Sequence, residues 1–453
     1  QLVIFSANPG FTFPAVQRII HAMIQDSQIR MPLLTTSEDF LLAAKHAEIA
    51  ALQQLQVNCR LVGRVTELIH ELQRERGLSN IYLVSDGQRY AQQRADELEV
   101  TGIAQKHFRQ TLTKLSESDS LSHSTRLLSS LAFVIQCLEG IDALRAQVTA
   151  RKVSATENTA LYSRLITGLL TVIFEAADIA DDPEITRALV ALFNFVQGKE
   201  YAGQERAMGL IGFTSGSFSN TLQDKVHELL DAQERCFGIF TEFSASVPKA
   251  RWHQLESCEA TAELERLRKM IERYRTEDAL PTSISEVWYE VATRRIDEMQ
   301  SIELDMTGDL MKLCETKINS AEEDLRLHRE HLKDLAEVSE PPESPLGLLP
   351  ESTLNSDSNL TPGVNVKLAR SISDLVQGQA ERLQRISSEL AEARQALDER
   401  KLIDKAKGLL IQSKGITEEE AYRHLRQAAM DSNKRIVEVA MNVISVAGML
   451  TSN

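Results

Sequence analysis

SISEVWYEVATRRIDEMQSIELDMTGDLMKLCETKINSAEEDLRLHREHLKDL, residues 283–335, contains a single glycine, Gly308, and no proline. Apolar residues recur through it at three- and four-residue steps, the period of one helix face. A start signal stands at its head. Pro281 is followed by Ser283 and, three residues on, Glu286, a capping-box pattern in which each side chain satisfies an orphan N–H of the first turn. The stretch predicts one long helix, or two if Gly308 breaks it.

Working outward, the same pattern fills most of the chain. The 453 residues include only 20 glycines and 11 prolines, and between Pro32 and Pro341 the prolines are Pro183, Pro248 and Pro281 alone. Helix breakers are therefore scarce over some 300 residues. From about Ser37 to Leu335, helical periodicity is interrupted at Asp86-Gly87, Ser116-Glu117-Ser118-Asp119 and Asp181-Asp182-Pro183. Such segments pack as helix bundles.

Composition excludes several classes. The five cysteines, Cys59, Cys137, Cys236, Cys258 and Cys314, are scattered and lack CxxC spacing, which argues against a disulfide framework or a zinc site. His328 and His331 lie three apart on a charged helix without a third ligand, so no metal is expected. No apolar run reaches the length of a membrane span, since Leu165 to Phe174 ends at Glu175. The first residues lack a secretory pattern, and a soluble cytoplasmic protein is expected. No nucleophile–base arrangement or glycine-rich phosphate loop is present, so an enzyme and a cofactor are not expected.

The net charge of −15 argues against a nucleic-acid partner, but the charge is uneven. From Arg400 to Arg435 nine basic residues stand against five acidic. Before this basic region, residues 336–367 hold Pro341, Pro342, Pro345, Pro350 and Pro362 among serines, asparagines and acids, the composition of a flexible linker. Leu383, Ile386, Leu390, Ala393 and Leu397 then form a short heptad seam. Its partner is either a second chain, giving a homodimer, or another part of the same chain.

The seam helix runs on to Lys414-Gly415, where glycine supplies a left-handed cap. Thr417 and Glu420 open a second helix with a buried stripe of Ala421, Leu425 and Ala428. Asp431-Ser432-Asn433 breaks it, and Ile436, Val439, Ala440, Val443 and Ile444 line a third. With those positions inward, Tyr422 and Arg426 share a face beside Arg423, and Lys434 and Arg435 sit at a helix N-terminus. Guanidinium and ammonium groups meet phosphates, and a tyrosine stacks on an unpaired base. A solvated basic face is the plainer reading of the same residues.

The string ERKLIDKAKGLLIQSKGITEEEAYRHLRQAAMDSNKRIVEVA resembles the ANTAR domain over about 55 residues, from its AK-x-LL segment through the E-E-E-A-Y turn to the third helix. The resemblance implies binding of paired hairpin loops in leader mRNA so that a terminator does not form. The matching positions are Ala406, Lys407, Glu420, Ala421, Tyr422, Ser432 and Asn433. Charge and helix face add Lys405, Lys414, Arg423, Arg426, Lys434 and Arg435 as RNA-binding candidates.

Two segments 130 residues apart echo each other, Leu72 to Ser79 (LQRERGLS) and Ala202 to Gly209 (AGQERAMG). Each places an arginine before a small residue in a helix, so a facing helix can come close and hold the guanidinium between helices. Such an arginine needs an anion, and its planar fork matches a planar oxyanion. The plainer reading pairs each arginine with a nearby carboxylate. Glu75-Arg76-Gly77, Gln93-Arg94-Ala95-Asp96, Glu205-Arg206-Ala207 and Trp288…Arg295-Ile296-Asp297…Glu303 resemble the NIT domain, over about Asn58 to Leu313. That resemblance implies an all-helical sensor of nitrate or nitrite, with Arg76 and Arg206 as the anion ligands.

The expectation is an all-α chain: an extension at 1–36, a helical-bundle sensor of two four-helix-bundle-like halves at 37–335, the linker at 336–367, and a short coiled coil with a three-helix domain at 368–453. Its expected role is a nitrate- or nitrite-responsive antiterminator. The alternative is a DNA-binding or protein-interaction regulator with the same anion sensor. The third helix after Arg435 is nearly all apolar or small, unlike a major-groove reader.

Overall fold

The computed structural model describes residues 37–117, 124–275, 280–337 and most of 384–450. Every regular element among them is a helix. The sensor region carries α1 (Ser37–Val84), α2 (Ala91–Glu117), α3 (Thr125–Glu139), α4 (Ile141–Thr149), α5 (Ala155–Asp178) and α6 (Pro183–Ser215). It continues through α7 (Asn220–Phe243), α8 (Ser246–Glu256), α9 (Glu259–Arg273) and α10 (Ile284–Glu337). A helix over 397–414, here α11, precedes α12 (Glu418–Ser432) and α13 (Ile436–Leu450). The extension at 1–36, the stretch 338–383, and Ile386, Ala393, Thr417 and Asn433 lie outside the described residues.

The helices begin where the sequence supplies caps. Ser154 and Glu157 complete both halves of a capping box at α5, and Asp182 accepts from the Ile185 N–H at α6 with Pro183 just inside. Asp86 and Gly87, both with positive φ, turn the chain between α1 and α2. The quoted stretch forms one helix. A Cβ at Gly308 would meet nothing within 4 Å, and α10 passes through it to Glu337, two residues beyond the expected end.

The chain divides into two compact units. Of the described residues the first comprises 37–48 and 324–337, where Arg329 Nη2 lies 2.7 Å from His46 Nε2. The second comprises 49–323 and 379–453. Its larger core runs from Leu61, Val65 and Leu68 of α1 through Ile166, Leu169 and Ile173 of α5 to Phe195 of α6 and Trp252 of α8. A second core gathers Leu210 and Phe213 of α6, Phe218, Ile271 of α9 and Trp288 of α10. By length and composition α5 and the Thr125–Thr149 segment are apolar enough to cross a membrane, contrary to the sequence reading. Most apolar side chains of α5, Leu165, Ile166, Leu169 and Ile173 among them, are buried in the larger core, while Leu161 is exposed.

A third, small core joins Ala406, Leu425, Ala429, Val439 and Ala440. The expected stripe on α12 is off by one residue at its end, where Ala429 is buried and Ala428 exposed. A four-residue step from Leu425 keeps the face of a 3.6-residue helix, whereas a three-residue step drifts from it. Of the heptad seam, Leu397 is buried in the sensor's larger core, so at this position the seam packs within one chain.

Trp252 is fully buried among Phe195, Phe237 and Phe240, its ring 4.0 Å from that of Phe237 in a stacked pair. Trp252→Ala is expected to lower unfolding free energy by about 3–5 kcal/mol. Ser154→Ala, which removes only the α5 cap, should cost about 1 kcal/mol. Urea denaturation followed by circular dichroism measures both.

Candidate functional site

The echoing segments meet where α1 and α6 cross. Each arginine lies against the other helix's glycine: a Cβ on Gly203 would stand 2.5 Å from Arg76 Nη2, and one on Gly77 would collide with the Arg206 guanidinium. Only glycine admits this approach, because any β-carbon would occupy the guanidinium's place. Adjacent helix residues point about 100° apart, so the glutamate before each arginine turns elsewhere. Glu75 takes Arg145 bidentately at 2.9 and 2.8 Å and the Tyr162 hydroxyl. Glu205 takes Arg268 at 2.7 and 2.6 Å and Gln233 Nε2 at 2.8 Å.

The two arginines differ in compensation. Arg76 donates to both oxygens of Glu200, at 2.5 and 3.1 Å, and to Ser163 Oγ at 2.9 Å. Glu200 also accepts from Gln73 Nε2 and Gln204 Nε2, each at 2.9 Å, so the plainer pairing holds for Arg76. Arg206 donates to Thr293 Oγ1 at 2.8 Å and to the Gln73 carbonyl at 3.0 Å, both neutral, and its guanidinium lies 5.0 Å from the centre of the Tyr289 ring. Burial pushes its pKa down, and the positive charge of Arg76 adds to the effect, while Tyr289 and the carboxylates of Asp297 and Glu200 oppose it without bonding to Arg206. Among the described residues no carboxylate pairs with Arg206. A buried cation that bonds only neutral acceptors is suited to receive an anion.

Sequence reasoning missed the groups one turn and more below. Lys199 donates to Gln300 Oε1 and pairs with Glu303, both at 2.5 Å, and His70 on α1 is buried with an unpartnered Nδ1. Burial drives the His70 pKa down to about 2, aided by the charges of Lys199, Arg74 and Arg206. A lone lysine and a lone histidine carry no motif. Only their convergence from two helices gives them meaning.

The RNA candidates fall into three groups. Tyr422, Arg423 and Arg426 lie against α7: Arg235 sits 4.8 Å from the centre of the Tyr422 ring, Arg423 holds Glu228 at 2.5 and 2.8 Å, and Arg426 pairs with Asp231. Lys407 pairs with Asp404 at 2.6 Å, Arg435 holds both oxygens of Glu399 at 2.8 Å, and Ser432 Oγ donates to the Ala428 carbonyl. Lys405, Lys414 and Lys434 are exposed. Asn433 lies outside the described residues. Along α11, Arg400 donates to Gln197 Oε1 at 3.1 Å and Lys401 pairs with Asp178, so the effector rests on the sensor at a second place.

His70 is uncharged in the native chain but free to protonate, at its ordinary 6.5, in the unfolded one. Below that pH the unfolded state binds the extra proton, so stability falls with acid by up to about 1.4 kcal/mol per pH unit from this group. His70→Gln should flatten the profile between pH 4.5 and 6.5, as read by urea midpoints across that range. An unchanged profile would remove His70 from the cluster. Arg76→Ala leaves Glu200 buried without its partner and should cost about 3–5 kcal/mol, whereas Arg206→Met should cost less, because it removes an uncompensated charge.

A family model described as nitrate and nitrite sensing, NIT, matches residues 67–311, and the ANTAR domain matches 391–444. The nitrate regulatory protein of Klebsiella oxytoca is 32% identical over 412 residues, 91% of this chain and 95% of that relative. The solved structure of the NasR transcription antiterminator is similar with a TM-score of 0.58 at 30% identity, over 91% of this chain and 99% of that one. With the NIT match spanning more than half its length, the chain belongs to the nitrate- and nitrite-sensing NIT family and carries a C-terminal ANTAR domain.

Proposed function

We propose that this protein is a nitrate- or nitrite-responsive antiterminator in which the anion controls access of leader mRNA to the effector. One observation carries the reading: Tyr422, Arg423 and Arg426, the side chains suited to an unpaired base and its phosphates, rest on Arg235, Glu228 and Asp231 of the sensor. Carboxylates occupy the positions that phosphates would take, so docking and RNA binding compete.

The energetics suit a switch. The Arg423 and Arg426 side chains remain 58% and 44% exposed, and exposed ion pairs contribute about 0–1 kcal/mol each. Docking of α12 on α7 is therefore weak, and an anion needs a differential affinity worth only about 1–3 kcal/mol to release it there. Nitrate is planar with its charge spread over three oxygens, so two of them meet one guanidinium fork. Arg206 is the cation that gains most from it, with Arg76 beside it at the crossing. The anion shifts the equilibrium only by binding the released arrangement better. The protein works as a cytoplasmic regulator without catalysis, as a monomer or as a homodimer.

Wild-type protein titrated with a transcribed leader RNA of paired hairpin loops should bind about 5–150-fold tighter in saturating sodium nitrate, and equal affinities sink the proposal. Arg206→Met should abolish the response and keep the nitrate-free affinity. Glu228→Lys with Asp231→Lys should reach the nitrate-bound affinity without nitrate. Gel shifts measure all three.

A further inference from the structure

Between the candidate anion site and the docked effector lies one helix, α7, and its two faces do different things. The outer face presents Glu228, Asp231 and Arg235, three and four residues apart, to Arg423, Arg426 and Tyr422. The inner face buries Gln233, which is 4% exposed.

The Gln233 amide joins both helices that hold Arg206. Its Nε2 donates to Glu205 Oε2 at 2.8 Å, and Glu205 is the residue before Arg206 on α6. Its Oε1 accepts from Arg295 Nη1 at 3.3 Å, and Arg295 stands two residues beyond Thr293 of α10, the hydroxyl that Arg206 reaches. Displacement of Arg206 relative to Thr293 thus moves the two partners of one amide relative to each other. The link does not slip easily. Glu205 is buried and also holds Arg268 of α9 bidentately, so parting it from its donors would strand a buried charge. One turn along α7, Phe237 fills the space that a Cβ on Gly198 would take, which keys α7 to α6. The contacts of α7 with α12 are exposed ion pairs, whereas its inner face is buried, so a small shift of α7 is felt first at α12.

We propose that Gln233 is the positioning residue that conveys occupancy of the Arg206 site to the effector, by tying α7 to the two helices around that site. The inference rests on the anion-switch reading and adds the route by which the switch acts. Physical adjacency alone does not show coupling, so the test measures it.

The full chain is titrated with sodium nitrate by calorimetry, and hydrogen exchange of α12 is followed with and without saturating nitrate. In the wild-type chain nitrate should speed exchange across Glu418–Ser432 about 5–150-fold. No acceleration in the wild-type chain would defeat the anion-switch reading itself. Gln233→Met, close in volume but without the amide, should bind nitrate and show an exchange ratio near one. Nitrate binding by Gln233→Met together with a wild-type exchange ratio overturns the role of Gln233. The exchanged pair Glu205→Gln with Gln233→Glu retains an amide–carboxylate bond with the roles reversed, and keeps the test decisive should the single variant not fold. It should recover most of the wild-type ratio, and a folded, nitrate-binding double variant whose ratio stays at one also overturns the proposal.

Discussion

The structure depends on the crossing of α1 and α6, where two helices come close enough for each to lay an arginine on the other's glycine. That closeness excludes water from two guanidinium groups at once. Burying a charge is costly unless a partner accompanies it, so the neighbourhood must answer each arginine. Glu200, Gln73, Gln204 and Ser163 answer Arg76. Arg206 is answered by a hydroxyl and a carbonyl, which accept hydrogen bonds from it but carry no charge. The asymmetry within a nearly symmetric pair is what gives the crossing a chemical use.

Around the crossing the fold distributes strength unevenly. The glutamates next to the arginines are held by bidentate pairs in their own bundles, Glu75 with Arg145 and Glu205 with Arg268, and both carboxylates are buried. Those links are expensive to break. The contacts between effector and sensor at α7 are exposed ion pairs and one guanidinium–ring contact, which are cheap to break. The interior of the sensor is thus held more firmly than the α12 contacts on its surface.

Much of this was legible beforehand. Helical caps and breakers are local, and the turns at Asp86-Gly87 and Asp182-Pro183 fall where short-range chemistry places them. The Glu-Arg-small echo singled out Arg76 and Arg206, but on α6 the close approach falls at Gly203 and not at Ala207, the small residue after Arg206. The count of basic residues marked the effector, and Tyr422, Arg423 and Arg426 do share a face. The one-residue drift at Ala428 escaped because it turns on packing, which periodicity approximates only over short spans.

The sequence by itself determined that the chain is helical, where most helices start and stop, and which residues form the effector's basic face, since all of these are settled by neighbours within about four positions. Tertiary structure alone decided that Arg76 is matched by Glu200, 124 residues away, that Arg206 is not matched by a carboxylate, and that Arg423 meets Glu228 across 195 residues. Partners at such separations follow no period, and only the packing of helices brings their charges together.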